Sequence, residues 1–129
     1  MKTVKFVVEK TSTGFSAYAE DFEKHPVATT GTTITELKEN ILEAFNLLQE
    51  HNSKKAITAD DIVIKLDIGQ FFDYYKIINA KALSERIGMN QSLLAQYING
   101  TKPASQKQIE RIIRGVKDAA KEILELELA

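Results

Sequence analysis

"KALSERIGMNQSLLAQYINGTKPAS", Lys81 to Ser105, is the stretch on which the reading of this chain turns. It holds two short helical patterns separated by one glycine, Gly88, and closed by another, Gly100. Asn79, just upstream, is placed to cap AKALSERI by accepting a free backbone N–H. Gly88 can end that helix in the left-handed conformation at no steric cost, and Asn90 is placed to cap the next one. On a helical wheel the second helix sorts into two sides. Leu94, Tyr97 and Ile98, at i, i+3 and i+4, share the side expected to face a core. Gln91, Ser92, Ala95, Gln96 and Asn99 share the opposite side, and Leu93 lies between the two. Two short helices joined by a glycine turn read as a helix-turn-helix, whose second helix enters the major groove of DNA. There Gln or Asn can bond N6 and N7 of adenine together, and Ser can bond several base edges. Ala95 is small enough for close approach, and its methyl can meet that of thymine.

The rest of the second half is helical too. "IGQFFDYYKII" is aromatic and reads as a packing element of a small bundle. Ser105 and Gln108 are spaced as a capping box opening a long helix. In it Ile109, Ile113, Val116, Ala120 and Ile123 step by four and three, a stripe suited to packing on other helices or on a second subunit. Charge is uneven along the chain. Residues 1–68 hold 8 basic and 11 acidic side chains, and residues 69–129 hold 9 and 7. Within 79–117 there are 7 basic residues against 2 acidic ones, and all three Arg of the chain lie there. Such asymmetry points to a polyanion-facing module joined to a neutral-to-acidic one.

The first half alternates instead. Val4, Phe6 and Val8 point one way in VKFVVEK, as do Phe15, Ala17 and Ala19 in GFSAYAE, so both read as half-buried strands. TSTG between them supplies hairpin residues, with Gly14 able to take a positive φ. A third short strand is expected in PVATTG. The period then changes. Thr33 and Glu36 are spaced as a capping box, and Leu37, Ile41, Ala44, Phe45 and Leu48 keep helical spacing to about Glu50. HNSKKAITAD reads as a polar connector, and DIVIKLD as a fourth strand with Ile62, Ile64 and Leu66 on one face. The expected fold class is therefore α+β: a β-β-β-α-β domain over residues 1–68 and an all-α domain over residues 69–129.

Composition excludes several functions. The chain has 129 residues, 43% of them hydrophobic and none of them Cys, so disulfides, thiol catalysis and Cys-type zinc sites are out. The absence of Cys fits a reducing cytoplasm, where the protein is expected. No apolar run approaches the ~20 residues of a membrane span, and MKTVKFVVEK, broken by Lys5 and Glu9, is no signal peptide. Two-metal nuclease chemistry needs carboxylates converging on two ions. The acids here fall instead in turns and strand ends: Glu20, Asp21 and Glu23, then Asp60, Asp61 and Asp67. His25 and His51 stand alone in polar connectors. No enzyme activity, metal or cofactor is expected.

The stretch from Lys81 to Ser105 resembles the helix-turn-helix of the Cro and phage-repressor (XRE) family. Leu83, Ile87, Leu94 and Tyr97 match its core positions, and the match runs over residues 79–117. The resemblance implies base reading by Gln91, Ser92 and Gln96, with Ala95 on the same face. It implies backbone contacts by Asn99, Thr101 and Lys102. The family often has a phosphate-binding Gln at the start of the first helix; Ala80 stands there, leaving Lys81 or Asn79 to serve. The first half is similar to the HicB domain of toxin–antitoxin systems, which resembles a cut-down ribonuclease H fold. Gly14, Phe15, Gly31, Thr33, Glu36, Asn40 and Ala44 fall on its pattern, although EDFEKHP replaces its usual Pro-rich turn.

Together the resemblances imply a type II antitoxin. It would neutralise a small RNA-cleaving, HicA-like toxin and repress its own operon by binding double-stranded operator DNA. A homodimer or higher oligomer is expected, because palindromic half-sites lie about one helical turn, ~34 Å, apart. The apolar ILELEL tail and the edge of the sheet are the competing dimer surfaces. The alternative is a transcriptional regulator whose N-terminal domain only dimerises or senses a ligand.

Overall fold

The computed structural model describes residues 3–129. A four-stranded mixed sheet and five helices make the chain α+β, and it divides between Asp67 and Ile68 into two compact units. In the first unit the alternating runs form β1 (Val4–Lys10) and β2 (Phe15–Ala19). They pair antiparallel, and β3 (Ala28–Gly31) adds to β2 in the same sense. Helix α1 (Ile34–His51) carries the chain back to β4 (Ile62–Leu66), which lies parallel to β1, giving the order β3-β2-β1-β4. The sequence pattern identified the strands but not this order, because strand pairing is a non-local choice that alternation does not encode.

One face of the sheet and one face of α1 make the core. Val4, Phe6, Val8, Phe15, Ala17 and Ala19 are buried with Leu37, Ile41 and Phe45. The Phe6 and Phe45 rings meet edge to face, with centroids 6.3 Å apart. Gly14 lies at φ 159°, close to extended, so the hairpin does not need its conformational freedom. Space is the requirement there: a Cβ would stand 2.4 Å from the Gly31 carbonyl oxygen.

Three details differ from the expectation. The Thr33 capping box is only half made: Thr33 Oγ1 accepts from Glu36 N, but the Glu36 carboxylate reaches Thr32, accepting from its N–H and hydroxyl. A box does form at Thr58 and Asp61, opening a 3₁₀ turn over Ala59–Asp61. The connector is pinned rather than loose. Asn46 Nδ2 donates to Ile57 O at 3.0 Å, Ile57 N donates to Asn46 Oδ1 at 2.8 Å, and Ile57 itself is buried. Gln49, in line with the apolar seam of α1, is buried because its Nε2 donates to Lys55 O. His25 is no isolated connector residue either: its ring packs on Phe45 at 5.1 Å, and burial holds its pKa below the usual value.

The second unit contains α2 (Ile68–Tyr74), α3 (Ala80–Ile87), α4 (Gln91–Asn99) and α5 (Gln106–Leu124). Phe72, Leu83, Met89, Leu94, Tyr97 and Ile112 form its core. Here α5 departs from the expected stripe. Ile112 and Gly115 are its buried residues, so the helix is rotated relative to the row Ile109, Ile113, Val116, Ala120 and Ile123. Of that row only Val116 packs against the core, and Ala120 and Ile123 are exposed. Two apolar rows overlap on this helix, and the row containing a glycine is the one that meets α3. Among the described residues no helix is long and apolar enough to cross a membrane.

Candidate nucleic-acid interface

Three connected devices fix the geometry between α3 and α4. Asn79 Oδ1 accepts from Ala82 N and starts α3. At its other end Gly88 takes φ 66°, Gly88 N donates to Glu85 O, and Met89 N donates to Ser84 O. This paired 5→2 and 6→1 closure reverses the chain while burying Met89 in the core. Asn90 Oδ1 then accepts from both Ser92 N and Leu93 N, at 2.8 and 3.2 Å, so α4 begins two residues beyond the turn.

A further cation holds this turn, and its role was not foreseen from sequence. Arg111, on α5, donates from Nη2 to Ile87 O at 2.8 Å and to Gly88 O at 3.0 Å. Its positive charge meets the carbonyl end of α3, where a helix dipole favours a cation. A basic residue in a basic window gives no hint that its guanidinium is already occupied. Arg86 is also taken, by an ion pair with Glu122 that ties α3 to the far end of α5. Among the described residues no ion pair engages the side chains of Lys81, Lys102, Lys107, Arg114 or Lys117.

Helix α4 is oriented by its apolar side. Leu94 is 1% exposed and Tyr97 is buried, while Leu93 and Ile98 are half-buried against the same core. Burying Leu94 fully stabilises the unit by about 2–3 kcal/mol, enough to set which face turns outward. That leaves Gln91, Ser92, Ala95, Gln96 and Asn99 exposed together. After α4, Gly100 takes φ 81° and the exposed Thr101 and Lys102 follow. Asn99 Oδ1 accepts from Thr101 N at 2.9 Å and from the Thr101 hydroxyl, so this amide shapes the loop and keeps only its Nδ2 donors for another molecule. Lys81 is exposed on α3, whereas Ala80 beside it is half-buried against the core. Asn79 Oδ1 is occupied in capping, so Lys81 is the remaining cation at that end of α3.

The face so formed offers side-chain amides and a hydroxyl that can both donate and accept, a small methyl at its centre, and lysines at Lys81 and Lys102. Three of the carboxylates considered for catalysis have structural partners in the first unit. Glu20 pairs with Lys65 at 2.8 Å, Asp21 accepts from Lys24 N, and Asp61 closes the capping box. Among the described residues no three His, Cys, Asp or Glu side chains converge as metal ligands. No family model matches the chain, and neither a curated protein nor a solved structure does.

Proposed function

We propose that this chain binds operator DNA through α4 and serves as the antitoxin of a toxin–antitoxin pair, repressing its own operon. The observation that carries the DNA reading is the exposed row Gln91, Ser92, Ala95 and Gln96 on a helix whose opposite side is locked into a core. A two-residue step from the left-handed Gly88 to the start of α4 and the clamp of Arg111 fix that helix in place. Such preorganisation is what base reading needs, since a displaced amide loses both of its bonds to adenine. Lys81 and Lys102 supply phosphate contacts, with Asn99 and Thr101 at the backbone.

The antitoxin role rests on the HicB resemblance of the first unit and on its acidic balance, which suits a toxin whose RNA-binding face is basic. Both parts can be tested on the full chain. Fluorescence anisotropy with DNA from upstream of its own gene should give binding that is lost on scrambling the sequence. Co-expression with a short basic reading frame adjacent to the gene should restore growth. Equal affinity for scrambled DNA would end the operator reading, and unrelieved toxicity would end the antitoxin reading.

A further inference from the structure

Along α5 an apolar row has no partner among the described residues, and the exposed Leu124, Leu126 and Leu128 follow it. Ile109 and Ile113 are half-buried but do not pack against the core, Ala120 is exposed, and Ile123 is 67% exposed. Together with Val116 they run straight along α5 in steps of four, three, four and three, the spacing that keeps one seam facing a second helix. A shallow groove beside the seam is lined by Ile109, Glu110, Ile113 and Lys117. From the structure we infer that α5 pairs antiparallel with α5 of a second copy of this chain.

Charge decides both the occupant and the direction. Between Lys107 and Lys117 the helix carries four cations and only one acid, Glu110. From Asp118 to its end at Leu124 it carries two acids, Asp118 and Glu122, and one cation, Lys121; Glu125 and Glu127 follow the helix, and Glu122 also pairs with Arg86 of its own copy. Antiparallel pairing lays the basic half of one copy along the acidic half of the other and opposes their helix dipoles; parallel pairing stacks like on like. The register follows from the seam. Placing Ile113 opposite Val116 of the second copy sets Ile109 opposite Ala120 and brings Glu110 beside Lys117. The two-fold axis then makes each contact twice, as a symmetric dimer requires. Nothing in this argument uses the DNA reading, so either can fail alone.

Sedimentation velocity of the full chain without DNA is the test. The parent should be a dimer at about 100 μM, and Ile113→Glu, away from the core, should raise the dissociation constant about 100-fold without changing the circular dichroism. Glu110→Lys and Lys117→Glu should each weaken the dimer, and the double variant should recover to within about threefold of the parent, because the pairs are exchanged rather than lost. A monomeric parent, a dimer indifferent to Ile113→Glu, or a double variant weaker than both singles would each overturn the pairing.

Discussion

Gly115 is where α5 crosses α3, and the crossing can be tested with one methyl group. A Cβ at this position would stand 2.3 Å from Ile87 Cγ2 and 3.3 Å from Leu83 Cδ1. Ordinary carbon contact is about 3.5–4.0 Å, so Gly115→Ala must displace Ile87 by more than about 1 Å. Overpacking of this kind costs about 1–3 kcal/mol, against about 1 kcal/mol recovered from alanine's helix propensity. Ile87 adjoins Gly88 and its carbonyl is held by Arg111, so the backbone there has little room to yield. The expected net loss is about 1–2 kcal/mol, a fall of roughly 5–10 °C in the melting temperature of a unit this size. Removing the obstacle should reverse the sign. In an Ile87→Ala background the nearest remaining atom of residue 87 is its Cβ at 3.8 Å. Leu83 Cδ1 at 3.3 Å, the end of a flexible side chain, has to yield only a few tenths of an ångström, so most of the propensity gain remains. Gly115→Ala should then stabilise by about 0.5–1 kcal/mol, and the cycle should close with a coupling of about 2 kcal/mol. Urea unfolding of all four proteins supplies the measurement. If Gly115→Ala stabilised the parent, the close crossing of α5 on α3 would be wrong.

Three other perturbations separate the parts of the molecule. Gln91→Ala and Gln96→Ala should each lose about 1–3 kcal/mol of base discrimination at one step per half-site. Lys102→Ala should weaken binding to all sequences alike; two Gln variants with the parent's selectivity would mean that α4 does not read DNA through these amides. Asn46→Ala strips both backbone partners from the buried Ile57 and should destabilise the first unit by about 2 kcal/mol in urea unfolding, with DNA affinity unchanged. His25 supplies a pH dependence. Burial on Phe45, then repulsion from Lys24, lowers its pKa from 6.5, so below about pH 6.5 the unfolded chain takes up this proton first. Stability of the first unit should fall as the pH drops through that window and be flat in this residue above it. His25→Gln should remove that component from a pH series of melting curves.

The sequence was most informative where one apolar row had one destination. Val4, Phe6 and Val8 could only turn toward α1, and Leu94 with Tyr97 could only turn inward, which placed Gln91 and Gln96 outside. Caps were legible for the same local reason: Asn79, Asn90 and Ser105 each accept the backbone N–H they were positioned to accept. Reading failed where a residue serves a distant segment. Gln49 belongs to Lys55 O, Asn46 to Ile57 and Arg111 to the turn after α3, and no local pattern encodes those pairings. Helix α5 failed differently. Its two apolar rows are equally periodic, and a glycine, disfavoured in helix interiors by propensity, marks the row that packs. Steric contact, not period, makes that choice.

The same distinction bounds the electrostatics of the proposed DNA binding. The window 79–117 has seven cations, and a count from sequence would assign all of them to phosphate. Two are engaged elsewhere: Arg86 with Glu122 and Arg111 with the carbonyls of Ile87 and Gly88. The proposed α5 pairing also commits Lys117 to Glu110 of the second copy, so the four that remain per copy allow such a dimer about eight phosphate contacts from this window. With a slope of about −0.9 per contact, log K against log salt should be no steeper than about −7, where seven per copy would allow about −13. The division is open to a direct test by titrating affinity against salt. Lys81→Gln and Lys102→Gln should each flatten the slope by about 2 in the dimer, one contact per copy. Arg86→Gln and Arg111→Gln should lower the melting temperature while leaving the slope of the folded protein in place. If either Arg variant flattened the slope as much as Lys102→Gln, that guanidinium would be leaving its partner for phosphate, and its role in holding the turn would have to be given up.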